Sequence, residues 1–229
     1  MRKSDSVNSR VLQAVKARYG LTERDIGEYA DLKGKGMRFS TRVYDAEQAG
    51  SLCLMDMKAF FGAMKMQTAV FSPTELDGPI LSMDFIEDFG SFTLVLELYD
   101  TTLSHPDFQP LEETKAKYAS LPDYDPGEHW FDSIRLPVSA HKKGRKLQNE
   151  MLQMVREYTE RYFDLLAQCP PCAAEEKKAK NAEFADGLLQ NGGPAVNQFR
   201  KMLGDEKTTA FIRTCMFCCG LTRAGGVFR

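Results

Sequence analysis

No run of apolar residues in this chain approaches the roughly 20 needed to cross a bilayer as a helix. The longest, Ala59 to Phe71, is broken by Lys65, Gln67 and Thr68. No hydrophobic stretch follows the charged opening Met-Arg-Lys-Ser-Asp-Ser, so a secretory leader is not expected. An excess of one charge is missing too: 30 basic side chains meet 32 acidic ones, for a formal net charge of -2. That balance argues against a nucleic-acid coat or a polybasic membrane binder, both of which need a surplus of Lys and Arg. Histidine is scarce, with His105, His129 and His141 scattered along the chain, which argues against a His-built zinc site. Gly-x-Gly-x-x-Gly, a phosphate loop, Gly-x-Ser-x-Gly and His-Glu-x-x-His are all absent, leaving nucleotide-binding and hydrolase readings without support. These absences point to a cytoplasmic, monomeric protein with neither nucleic acid nor membrane as a partner.

What is present suits a globular core: 43% of the 229 residues are hydrophobic and 27% charged, too apolar for disorder. Val7, Val11, Leu12, Val15 and Tyr19 recur at helical spacing, and Thr22 is expected to open a second short helical turn with Asp25 at its capping-box position. From Arg38 the texture becomes extended. Phe39 to Tyr44, Leu52 to Met57, Ala63 to Phe71, Ile80 to Ile86 and Phe92 to Tyr99 read as five strands, parted by short Gly- and Pro-bearing turns in the manner of an antiparallel meander. Both faces of these strands carry apolar residues, so helices should cover the sheet on both sides. Leu111 to Ser120 reads as a helix, Trp130 to Val138 as a sixth strand, and His141-Lys-Lys-Gly-Arg-Lys146 as a basic turn. Helices follow over Leu147 to Gln168, Ala174 to Gln190, Pro194 to Leu203 and Asp205 to Met216. The expectation is a single α+β domain, a three-layer α/β/α sandwich about a central antiparallel sheet. N-terminal helices occupy 1–37, the sheet region 38–138 and the C-terminal helices 147–217.

Three features bear on chemistry. Cys169-Pro-Pro-Cys172 and Cys215-Met-Phe-Cys218, with Cys219 adjoining, have spacings that suit a metal or iron–sulfur cluster. Two helices separate the pairs and neither has a Gly-rich knuckle, so the preferred reading is buried or incidental thiols that share no metal. Lys142, Lys143 and Arg145 suit a solvated turn, or else one that receives carboxylates of a ligand or an acidic protein. Asp84, in Ile80-Leu-Ser-Met-Asp-Phe-Ile86, is out of place in a strand. Either it faces water at an edge or bulge, or it is a buried carboxyl with a raised pKa, a proton donor in a pocket against the sheet.

Around Asp84 the sequence resembles the ferredoxin-dependent bilin reductases, the phycocyanobilin and phytochromobilin synthase family, with red chlorophyll catabolite reductase as a distant relation. Phe71-Ser-Pro73, Leu76-Asp77-Gly-Pro79-Ile80 and Ser82-Met83-Asp84 fall in register with that family's signature. Trp130 to Val138, Gly193 to Gly204 and Phe211 to Phe217 follow it more loosely. The resemblance implies reduction of a biliverdin-like linear tetrapyrrole by single electrons from reduced ferredoxin, with no tightly bound flavin or metal. It assigns protonation to Asp84 with Gln67 beside it, and makes Thr93, Lys142, Lys143, Arg145 and Asn191 candidates for substrate contact. The family's second acid falls at Gly192 or Gly193, with Asn191 as its only substitute, and a further catalytic Glu falls at Met55 or Asp56. A tetrapyrrole-binding protein without reductase chemistry, and a cysteine-ligated metal protein, are the alternatives.

Overall fold

The computed structural model describes residues 6–220. Its frame is a sheet in which every pairing is antiparallel, built from β1 (Leu21–Arg24), β2 (Asp31–Gly34), β3 (Met37–Ala46), β4 (Gly50–Ala59), β5 (Met64–Pro73), β6 (Ile80–Asp88), β7 (Ser91–Tyr99) and β8 (Ala140–Arg145). β3 to β7 are neighbours in chain order, as short turns require. β8 returns to pair with β7, while β1 and β2 lie end to end along the free edge of β3.

Helices close both faces. On one side lie α1 (Val7–Lys16), α2 (Gln109–Ala116) and α3 (Gln148–Leu166), packed through Val11, Val15, Tyr158, Tyr162 and Phe163 against Leu54, Phe71 and Leu96. Ser6 caps α1 by accepting from the Ser9 amide at 3.1 Å. The buried phenols of α3 find carbonyls, Tyr158 at Val138 (3.0 Å) and Tyr162 at Pro79 (2.8 Å), so the polar ends of these large rings cost little. On the other side lie α4 (Ala174–Asn191), α5 (Pro194–Leu203) and α6 (Asp205–Phe211), the last running into a π-turn at Ile212–Met216. Their Phe184, Val196, Phe199, Phe211 and Ile212 face Phe39, Met55, Met57 and Tyr99 of the sheet. The α+β three-layer sandwich is therefore the observed architecture. Among the described residues no helix is long and apolar enough to cross a membrane.

Three local expectations are corrected. The segment from Thr22 is not a helical turn within an all-helical 1–37. Leu21–Arg24 pairs with β3, its Arg24 bonded across to Asp45, and only Gly27–Ala30 forms a tight 3₁₀ turn. Trp130 to Val138 is not a strand. The His129 and Asp132 side chains and backbones close a reciprocal box around a 3₁₀ turn at Trp130–Ser133, leaving a lone bridge between Arg135 and Tyr99. The sixth long-range strand is instead the basic segment, because Lys142 turns inward and satisfies its amine with the Leu121 carbonyl and Asp123.

The only tryptophan reports on how the 3₁₀ turn seats against α4. A Cβ on Gly187 would lie 2.2 Å from Cη2 of Trp130, whose ring is held between Phe131 and Phe184. Gly187→Ala gains about 1 kcal/mol in helix propensity but overpacks this contact. The expected net is a loss of about 1–2 kcal/mol with a shifted emission maximum, read from denaturant melts followed at Trp130. An unchanged spectrum and midpoint would refute the contact.

Candidate active site

Pairing register places Thr41, Met55, Thr68, Asp84, Val95 and His141 in one row across β3 to β8, all on the face that meets α4 to α6. Directly opposed residues of an antiparallel pair share a face. Asp84 thus sits mid-strand with sheet on either side, its Oδ1 accepting from the Thr68 hydroxyl at 2.5 Å. Burial pushes its carboxyl up to about 6, against the Thr68 hydrogen bond, which favours the anion; the nearby Glu97 charge adds to the rise.

What Asp84 faces is a cavity of about 1170 Å³ between the sheet and the C-terminal helices. Its floor includes Met55, Met57, Met66, Ile86 and Val95; its roof includes Phe184, Leu188, Val196, Phe199 and Met216. Such flexible thioethers and rings conform to a large apolar ligand. At one end Tyr124, His129, Phe131 and Lys143 contribute, with the Lys143 ammonium 5.0 Å from the centre of the Tyr124 ring. Glu97 and Tyr99 complete the wall. Glu97 is two residues along β7 from the partner of Asp84 and is bound by His141 Nε2 at 2.9 Å, Arg135 at 3.2 Å and the Tyr99 hydroxyl. Burial pushes Glu97 up, but the hydrogen bonds from His141 and Tyr99 and the charges of His141 and Arg135 outweigh it and hold the carboxyl below its ordinary value. One wall therefore carries an acid that gives up its proton only near pH 6 and a second carboxylate held as an anion.

Of the residues singled out in the sequence, Asp84, Thr93 and Lys143 line this cavity. Gln67 does not stand beside Asp84. It pairs with Phe85, on the opposite face, where its amide donates to Asp56 at 2.9 Å and accepts from the Val7 amide at 3.0 Å. Lys142 lies in the same opposite-face row and is buried against Asp123, so it cannot reach a ligand in the cavity. Arg145 is exposed at the end of β8, outside the cavity wall, and Asn191 is exposed with its amide on the Gly187 carbonyl. Gly193 does line the cavity, and so does Met55, whereas Asp56 points away; neither position that the resemblance gives an acid presents one here. Thr68, Glu97, Tyr99, Tyr124 and His129 were not anticipated. Thr68 and Glu97 follow from Asp84 once the register is known; Tyr124 and His129 come from the long connection after β7, whose path has no periodic signal.

The cysteine pairs are separated by the sheet. Cys169 packs among the residues beneath α3, Cys215 with Cys53 on the cavity side, so the two pairs have no common centre. Among the described residues no three His, Cys, Asp or Glu side chains gather as metal ligands do.

No family model and no curated protein sequence matches the chain. Among solved structures it is similar to phytochromobilin synthase from tomato in complex with biliverdin, with a TM-score of 0.74 over 93% of this chain and 83% of that one, at 14% identity. The likeness is one of fold.

The raised Asp84 carboxyl has a measurable consequence for stability. Folding moves it from an ordinary value of 3.8 to about 6, so the folded state binds this proton more tightly. Its stabilising contribution is full below about pH 4 and is lost as pH rises through about 6. Asp84→Asn is therefore expected to be more stable than the parent by about 1–3 kcal/mol above pH 7, with the difference fading by pH 4. Denaturant melts across that range check it; parallel pH profiles would show an ordinary carboxyl.

Proposed function

We propose that the cavity receives a linear tetrapyrrole of the biliverdin type and that the protein reduces it with single electrons from ferredoxin or a similar carrier, Asp84 supplying a proton. The observation that carries this reading is a carboxyl poised near pH 6 in the wall of a large, methionine- and phenylalanine-lined cavity. The fold likeness to a protein solved with biliverdin supports the ligand class.

The chemistry follows from charge. Saturating one double bond consumes two electrons and two protons, and each added electron makes the conjugated ring system a stronger base. An acid with pKa near the working pH is both protonated often enough to donate and acidic enough to do so quickly. Thr68 fixes the direction of the carboxyl by its 2.5 Å hydrogen bond and steadies the anion once the proton has left. Thr93 offers a hydroxyl from the same wall, and Lys143 at the end of the cavity suits the acidic side chains of such a ligand. The protein holds the ligand away from water and delivers protons; electrons arrive from outside.

A binding protein without turnover is the second reading, favoured by one observation: Gly193 and Met55 leave the cavity without the further acids that the resemblance implies. Anaerobic absorbance spectroscopy with biliverdin, then with ferredoxin and a reducing system, separates the two. The parent protein is expected to bind and reduce biliverdin. Asp84→Asn is expected to bind it within about threefold and to lose roughly 10²-fold or more in turnover, stalling at a one-electron radical. Binding without turnover by the parent favours the second reading, and undiminished turnover in Asp84→Asn removes the acid.

Gln67→Ala supplies the contrast. Because Gln67 ties α1 to the far face of the sheet, its loss is expected to leave biliverdin affinity unchanged and to cost about 1–2 kcal/mol of stability in denaturant melts. A large loss of affinity at unchanged stability would return Gln67 to the site.

A further inference from the structure

Phe60, Phe61 and Phe89 are the large apolar side chains that stand exposed among the described residues, at 67% for Phe60, 74% for Phe89 and wholly for Phe61. All three occupy turns with positive φ, 49° and 57° in the β4–β5 hairpin and 43° between β6 and β7, a region that a residue with a Cβ adopts at a cost and that Gly or Asn ordinarily fills. Register brings the turns together: Met64 pairs with Asp88, so the two tips lie side by side. The β2–β3 turn with Lys35 joins them at the same end, since Met37 pairs with Ala59, and so does the end of β8, since Ser91 pairs with Arg145.

The side chains around the tips are mostly basic. Lys35, Lys58, Arg145 and Lys146 are exposed, and Lys65 neutralises Glu87 at 3.1 Å, leaving Asp88 as the opposing charge on the turns. A chain of net charge -2 thus shows a positive collar around three protruding rings. Phe60 and Phe61 stand at the mouth of the cavity but Phe89 does not line it, so folding over a ligand does not account for all three. A protein partner of ordinary affinity needs a continuous face of about 800 Å², whereas these rings project from two narrow turns, Phe60 and Phe61 from one and Phe89 from the other, beside the open rim of the cavity. Separate aromatic knobs within a basic collar match the boundary between lipid headgroups and acyl chains.

We propose that this end of the sheet docks on an anionic lipid surface, with Phe60, Phe61 and Phe89 entering the headgroup layer and the basic collar lying against the lipid charge. The expectation of no membrane partner rested on overall charge and on the lack of a spanning segment, and neither bears on a surface contact of this kind. Docking would set the rim of the cavity against the lipid, which suits an amphiphilic ligand. The proposal stands apart from the reductase reading, because its test needs no turnover.

The test is flotation of the full chain with vesicles of phosphatidylcholine alone and of phosphatidylcholine mixed with phosphatidylglycerol. Binding to the mixed vesicles is expected, weaker by about tenfold on neutral ones and weakened by salt. The triple variant Phe60→Ser, Phe61→Ser, Phe89→Ser is expected to lose about tenfold or more, with little change in melting temperature because the rings are mostly exposed. Lys58→Glu with Arg145→Glu should lose the preference for anionic lipid. Failure of the parent to float with either vesicle overturns the proposal, as does full retention by the triple serine variant. Self-association without vesicles that the serine variant abolishes would assign the rings to a second copy and overturn it as well.

Discussion

The hydrogen bond from Thr68 to Asp84, made in the interior of a sheet covered on both faces, is the contact on which the chemistry depends. A carboxyl in the middle of a strand is poorly placed unless something compensates its lost hydration. Here one lone pair is satisfied across the β5–β6 ladder and the rest of the group looks into a cavity instead of into packed core. Were β5 and β6 paired one residue out of step, Asp84 would turn into the side chains beneath α3 and the cavity would lose its acid. The register is fixed because the opposite face is filled by Phe71, Met83 and Phe85 against α3, which no alternative pairing keeps buried.

The two faces serve different ends, and their side chains show why. Beneath α1 and α3 the filling is done by Tyr162, Phe163 and Phe71, rigid rings in edge-to-face contact that leave little room. A 19-residue helix presents an unbroken apolar stripe to that face. On the other face the cover comes from helices interrupted at Gly192-Gly193 and at Gly204, and the sheet offers Met55, Met57 and Met66 where the first face has rings. Broken helices over compliant methionines bridge a gap without filling it, while the rigid face carries the stability that a hollow one cannot.

How much of this could be read from the sequence follows from where the signals are local. The strands from Phe39 to Tyr99 and the C-terminal helices announce themselves by period and by turn residues, and Asp84 stands out because its type disagrees with its strand. The face served by Gln67 was not legible, because its strand is apolar on both faces at Ala69, Val70 and Phe71, and a single step of register moves a side chain through the sheet. Lys142 was lost for the related reason that a Lys-rich, Gly-containing segment looks like a solvated turn until Asp123 and the Leu121 carbonyl are brought up to its amine. Tyr124 and His129 arrive through tertiary placement of an aperiodic loop.

Two carboxyls on one wall raise the question of which does acid chemistry, and their surroundings divide the labour. Glu97 has His141, Arg135 and the Tyr99 hydroxyl around it, enough positive charge and hydrogen bonding to keep it ionised despite burial. Asp84 has a single hydroxyl donor and no cation beside it, so burial prevails and the proton is held up to about pH 6. The fixed anion then acts on its neighbour: a negative charge along β7 makes ionisation of Asp84 costlier still. Environments that push neighbouring carboxyl pKa values apart are what separates a proton carrier from an electrostatic partner. By that division Glu97 tunes the site and Asp84 spends the proton, and Thr68 keeps the rise in Asp84 from going so far that the proton could not be released.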